Sequence, residues 1–234
     1  MAASKTLKDA FAEASALPGP LRDRLKAYQE SHRELRPDTA RAYEALVERL
    51  ARVSETEASP GIGDVMPEFV LPDEGGHLVS RADILRDGAA IISFNRGHWC
   101  PFCRMELMAM AAIFPAVDAR GGNIVSIVPE RQQYAQQLKA TCELPFSVLQ
   151  DIDNSLGLEL GLVISVGDEM REIYQSGGID LAEYQGFDSW FLPIPASYVV
   201  DQAGTIRAKF ADPDFRKRAE PDDLLAAFHA VSAS

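Results

Sequence analysis

The sequence predicts an α/β fold, with three α/β/α layers around a mixed central sheet and a helical extension in front of them. Two observations carry this. From Asp64 onward, short apolar runs alternate with helical stripes in the order β-α-β-α-β, followed by β-β-α. Strand, crossover helix, strand implies parallel pairing, and a late hairpin adds antiparallel strands. Before Asp64 only helical patterns occur.

The bulk numbers exclude several classes. With 234 residues, 47% hydrophobic and 25% charged, the chain has a core to bury and is not expected to be disordered. Its net charge of −12 disfavours nucleic-acid and anionic-membrane partners, which need positive potential. Charges interrupt the N-terminus every few residues, and no window approaches 18 apolar residues. Neither a signal peptide nor a membrane span is expected, and the expected compartment is the cytosol.

Residues 1–57 are expected to form a helical extension, and residues 58–234 the main domain. Leu21, Leu25 and Tyr28 fall at i, i+4, i+7, and Tyr43, Leu46 and Leu50 at i, i+3, i+7. Both are one-sided helical stripes. Pro18-Gly19-Pro20 and Pro37 cut the segment into about three helices. Such a thin face needs cover, from the main domain or from a second subunit, so a homodimer through residues 1–57 is one expectation. Ser54 to Gly63 reads as a linker.

In the main domain, Phe69–Pro72 reads as a short strand. Ser80-Arg81-Ala82-Asp83 matches a capping box, which starts a short helix. Ala89–Phe94 and Asn123–Val128 are buried strands. Residues 101–119 and 130–141 carry helical spacing, and Phe146–Leu149 is a short strand. Irregular structure is expected next. Ala196–Val200 and Thr205–Phe210 then form a hairpin, and Pro221 opens a terminal helix that runs to Val231.

The chemistry points to Cys100-Pro101-Phe102-Cys103. Cys100 follows a buried strand and a turn and opens the helix of residues 101–119. The unpaired N–H groups and partial positive charge of a helix start favour thiolate over thiol. Cys103, three residues on, shares that face and can close a small disulfide. Arg96 and His98 are candidates for further positive charge beside Cys100, and Trp99 for shaping the site. Glu106 is expected only to meet solvent, and Cys142 to be a small buried hydrophobe, with an alternative resolving role as the sharper reading. The charged run Asp212–Arg218 lines the site mouth or forms a solvated loop. Cys-x-x-Cys is also half of a tetrahedral zinc site. The other half would come from Cys142 and one of His77, His98 or His229, none of which forms a second paired motif. Redox chemistry is therefore expected, with no metal or other cofactor.

Three segments, in order, resemble peroxiredoxin-like proteins of the alkyl hydroperoxide reductase/thiol-specific antioxidant family. They are Phe94 to Leu107 around the cysteine pair, Leu144 to Asp151, and Ile194 to Asp201 with Gly204. Trp99-Cys100-Pro101-Phe102-Cys103 also looks like thioredoxin. The resemblance spans about residues 60–232 and implies a thioredoxin-like fold. It implies that Cys100 attacks a peroxide, that Cys103 resolves the sulfenic acid as a disulfide, and that thioredoxin or a similar dithiol recycles it. It also implies a cis proline opposite the cysteines, at Pro195. Two positions depart from the family motif: Gly97 stands where Thr or Ser is expected, and Ser93 where proline is expected. They keep open a thiol–disulfide oxidoreductase acting on protein disulfides, and a redox-sensing interaction module.

Overall fold

The computed structural model describes residues 5–53 and 60–231. The chain begins with three helices, α1 (Leu7–Ser15), α2 (Leu21–Leu35) and α3 (Pro37–Val53). Thr6 caps α1 through a reciprocal box with Asp9. Of the expected linker, residues 54–59 lie outside the described residues.

A hairpin of β1 (Val70–Pro72) and β2 (Leu78–Ser80) runs into α4 (Arg81–Ile84), which Ser80 and Asp83 cap in the expected box. There follow β3 (Ala90–Phe94), α5 (Pro101–Asp118), β4 (Asn123–Val128), α6 (Gln132–Thr141) and β5 (Ser147–Gln150). Residues 151–195, expected to be irregular, instead contain three helices and two strands. These are α7 (Ser155–Glu159), β6 (Val163–Ser165), α8 (Asp168–Ser176), α9 (Leu181–Gln185) and β7 (Phe191–Pro193). Four of the five are only three to five residues long, too short for either hydrophobic period to register. The chain closes with β8 (Ala196–Val200), β9 (Ile206–Ala211) and α10 (Pro221–Val231).

The central sheet has the order β5-β4-β3-β8-β9. β3, β4 and β5 run parallel, while β8 and β9 are antiparallel additions. Its strands alternate strictly between two cores. Ile91, Ile124, Val128, Val148 and Val199 face a layer built from α5, α6 and α10, where Leu107, Met110, Leu138 and Phe228 pack. Ile92, Phe94, Val125, Ile127 and Tyr198 face the other side, against Ile84, Leu85, Leu156 and Leu160.

α5 is apolar on two sides. Leu107, Met110, Ile113 and Val117 meet the sheet, while Phe102, Cys103, Met105 and Ala109 enter a third core. That third core is roofed by Ala10, Leu21, Leu25, Tyr28, Leu46 and Leu50 of α1–α3. The helical arm thus spends its apolar face on its own chain. Tyr28 meets Phe102 edge-on at 5.3 Å between ring centroids. The arm is fastened by the segment before α10. The Leu21 and Arg22 N–H groups donate to the Glu220 carboxylate at 2.9 Å each, and Arg216 donates to both Glu44 oxygens at 2.8 and 3.1 Å.

Pro195 corrects one expectation. Among the described residues no peptide is cis, so the bond before Pro195 is trans. The chain passes from β7 into β8, and the Ile194 N–H donates to the Leu162 carbonyl at 2.7 Å. An extended passage suits the residue before a proline, and trans is the favoured X–Pro form by about 0.5–1 kcal/mol. Pro195 stands just before Ala196, which pairs with Phe94 on the strand that leads to the cysteines.

Candidate active site

Cys100 is the N-cap residue of α5, and its sulfur accepts from the Cys103 N–H at 3.4 Å. Pro101 takes the first helical position, where a missing N–H costs nothing. The Cys103 thiol donates to Cys100 Sγ at 2.7 Å, and both sulfurs are 1% exposed or less. Neither is in a disulfide in this structure.

Burial alone would raise the Cys100 pKa. It is outweighed by the hydrogen bond from the Cys103 thiol and by the positive charges of Arg96 and Arg218, which bring it down to about 6. Cys103 goes the other way: burial, and the thiolate it donates to, hold it well above an ordinary thiol. The pair is therefore asymmetric, with one thiolate and one proton-bearing thiol.

Arg96 is buried beneath aromatic rings. Its Cζ lies 4.1 Å from the Phe215 ring centroid and 5.0 Å from that of Trp99, and its guanidinium donates to the Tyr174 hydroxyl. Among the described residues it makes no ion pair with a carboxylate. A buried cation without a counter-ion is costly, so the Cys100 thiolate is the natural partner for its charge.

His98 is placed differently. Its Nδ1 lies 2.8 Å from Glu130 Oε1, its backbone N–H donates to Glu130 Oε2 at 2.8 Å, and its ring stacks on Tyr134. It belongs to a buried carboxylate, not to the thiols. The same carboxylate explains Gly97. That residue has φ +131°, a conformation open to glycine, and a Cβ there would collide with Glu130. No hydroxyl-bearing side chain fits. Ser93, at the other departing position, lies mid-strand between β4 and β8, where proline would forfeit a ladder hydrogen bond. Its hydroxyl accepts from Asn95 Nδ2 at 2.9 Å.

Two further expectations are corrected. Glu106 does not meet solvent: it is 1% exposed, accepts from Arg218 Nε at 2.7 Å and from Ser197 Oγ at 3.2 Å, and burial raises its pKa to about 7. The run Asp212–Arg218 is neither a site mouth nor a solvated loop at its functional end. Arg216 and Arg218 are buried, and Arg218 Nη2 reaches Cys103 Sγ at 3.4 Å. Cys142 caps α6 in the sheet-side core, and burial raises its pKa. Among the described residues no cluster of three or more metal-ligating side chains gathers. No helix there is long and apolar enough to cross a membrane.

The AhpC/TSA family model matches residues 62–209, well over half of the chain. This chain belongs to the AhpC/TSA family. It is 25% identical over 103 residues to a protein named as a peroxiredoxin, bcp, in Coxiella burnetii, covering 44% of this chain and 68% of that one. It is 27% identical over 109 residues to one named as a 1-Cys peroxiredoxin in Syntrichia ruralis, covering 44% of this chain and 50% of that one. The match thus spans half the length of the Syntrichia ruralis protein. Peroxidoxin BcpB of Mycobacterium tuberculosis superposes with a TM-score of 0.56 at 16% identity, covering 73% of this chain and 97% of its own. Peroxiredoxin Q of Xanthomonas campestris gives 0.54 at 16% identity, covering 70% and 91%. The fold is that of the thioredoxin-like peroxiredoxins. The family match and the peroxiredoxin relatives support a thiol-dependent peroxidase.

Proposed function

We propose that the protein reduces hydroperoxides through Cys100, with Cys103 as resolving thiol. The observation that carries the assignment is the buried Arg96, with no carboxylate partner among the described residues, beside a cysteine whose pKa is lowered to about 6. The Cys100 thiolate attacks the terminal oxygen of the hydroperoxide. The O–O bond breaks, the other oxygen leaves as an alcohol or water after taking a proton, and Cys100 becomes a sulfenic acid. The Cys103 sulfur, already in contact, displaces the hydroxyl as water and closes a disulfide. Thioredoxin or a similar dithiol supplies the two electrons that reopen it. No cofactor is needed.

Gly97 and Ser93 favour a second reading, thiol–disulfide exchange on proteins. Both readings require the buried pair to be uncovered for a protein partner, and the family match favours the first.

The test follows NADPH consumption by reduced protein with hydrogen peroxide, thioredoxin and thioredoxin reductase. Wild type should consume NADPH and Cys100→Ser should not. Wild-type consumption no faster than that of Cys100→Ser rejects the proposal. Insulin reduction in dithiothreitol addresses the second reading, which a rate equal to the dithiothreitol blank removes.

A further inference from the structure

Beside the cysteine helix lies a cavity of about 650 Å³, within the range of sites that enclose a small organic molecule. Trp99, Pro101 and Phe102, the residues flanking Cys100, form one wall. Phe11, Tyr28 and Tyr43 come from the arm, and Tyr174 and Ile179 from the α8 side. Tyr28 meets Phe102 edge-on and Tyr174 meets Trp99 at 5.1 Å between ring centroids, so the thiol lies just behind this aromatic wall.

The polar lining is one-sided. Lys8, Arg36 and Arg104 border the cavity, and among the described residues no Asp or Glu does. None of the three cations is in an ion pair among the described residues. In a chain of net charge −12, a pocket bordered by cations and by no carboxylate is selective for negative charge. Lys8, Phe11, Tyr28, Arg36 and Tyr43 all precede residue 62, where the family match begins. The chamber is therefore a feature that the arm adds to the family core.

We propose that this chamber binds an organic hydroperoxide with an aromatic or apolar body and an anionic group, the body among the rings and the anion on Lys8, Arg36 and Arg104. This inference rests on the peroxidase reading and specifies its substrate class. The terminal peroxide oxygen passes to the Cys100 sulfur, and the corresponding anionic alcohol leaves.

The test compares cumene hydroperoxide with its para-carboxylate derivative, two probes that differ by one carboxylate group. The carboxylate should give a kcat/KM about tenfold or more above the neutral probe, as expected for charge-assisted hydrogen bonds to several cations. In Arg36→Gln and Lys8→Gln that ratio should collapse toward unity. Taken within each protein, the ratio is insensitive to a general loss of activity. A wild-type ratio of one or less overturns the inference while leaving peroxidase activity intact. If no hydroperoxide is turned over, the peroxidase reading fails separately. Binding of the para-carboxylate alcohol to Cys100→Ser, followed by tryptophan fluorescence, then decides the chamber by itself. Binding tenfold tighter than that of the neutral alcohol supports it, and equal or absent binding overturns it.

Discussion

Arg218 donates to Cys103 at 3.4 Å from 115 residues further along the chain, while its Nε holds the Glu106 carboxylate at 2.7 Å. A buried carboxylate and a buried thiol pair thus share one cation. Replacing Arg218 with Met strands Glu106 as an unpaired buried acid. The expected cost is about 3–5 kcal/mol, read as a lower urea midpoint. The double variant Arg218→Met/Glu106→Leu should recover most of it. If the single variant is as stable as wild type, the pairing carries no stability.

The Cys100 thiolate should titrate in the reduced protein near pH 6, followed by thiolate ultraviolet absorbance. Arg96→Met should move that midpoint up by about one to three units, because an opposing charge is lost from a buried site. An unchanged midpoint would show that Arg96 does not hold the thiolate. The folded pKa lies below that of an unfolded thiol. Relative to Cys100→Ser, the extra stability is therefore fully present above about pH 8.5 and is lost as pH falls through about 6.

Glu106 has the opposite sign. Its folded pKa, raised to about 7, exceeds that of an unfolded glutamate. Its contribution to stability is complete below about pH 4.5 and is lost as pH rises through about 7. Glu106→Gln should flatten this part of the pH dependence, measured by denaturant unfolding at several pH values. Parallel curves for the two proteins would contradict it.

Gly97→Ala places a Cβ against Glu130 at φ +131°. The backbone strain alone is expected to cost about 1–3 kcal/mol, seen as a lower Tm. Gly97→Thr should cost at least as much and should slow peroxide turnover, since the new side chain displaces the Glu130–His98 contact. A faster Gly97→Thr would mean that the missing hydroxyl limits catalysis.

Much of the site is legible locally. Cys100 at a strand-to-helix turn, Pro101 after it and Cys103 one turn on are neighbours in sequence, and the apolar runs 89–94 and 123–128 identify the strands that carry them. What brings Arg218 to Cys103 is the docking of the segment before α10, which no local pattern encodes. Glu106 did carry a signal: it is a single carboxylate inside Met105 to Met110, an otherwise apolar stretch of a helix with two buried faces. The passage through Ile194 into Pro195 and the glycine at 97 meet Leu162, just before β6, and Glu130, which are distant in the chain. The arm's stripes announce a buried face but not its destination. That destination is α5, through Tyr28 on Phe102.

Glu220 and Arg216 fasten α2 and α3, and Arg218, between them, touches the thiol pair. One five-residue stretch thus anchors both the roof and the charge beneath it. The arm is consequently not a portable cassette. Transplanting residues 5–53 onto a relative would deliver the rings of the chamber without the stitching that seats them, so extension and C-terminal segment have to be inherited as a pair.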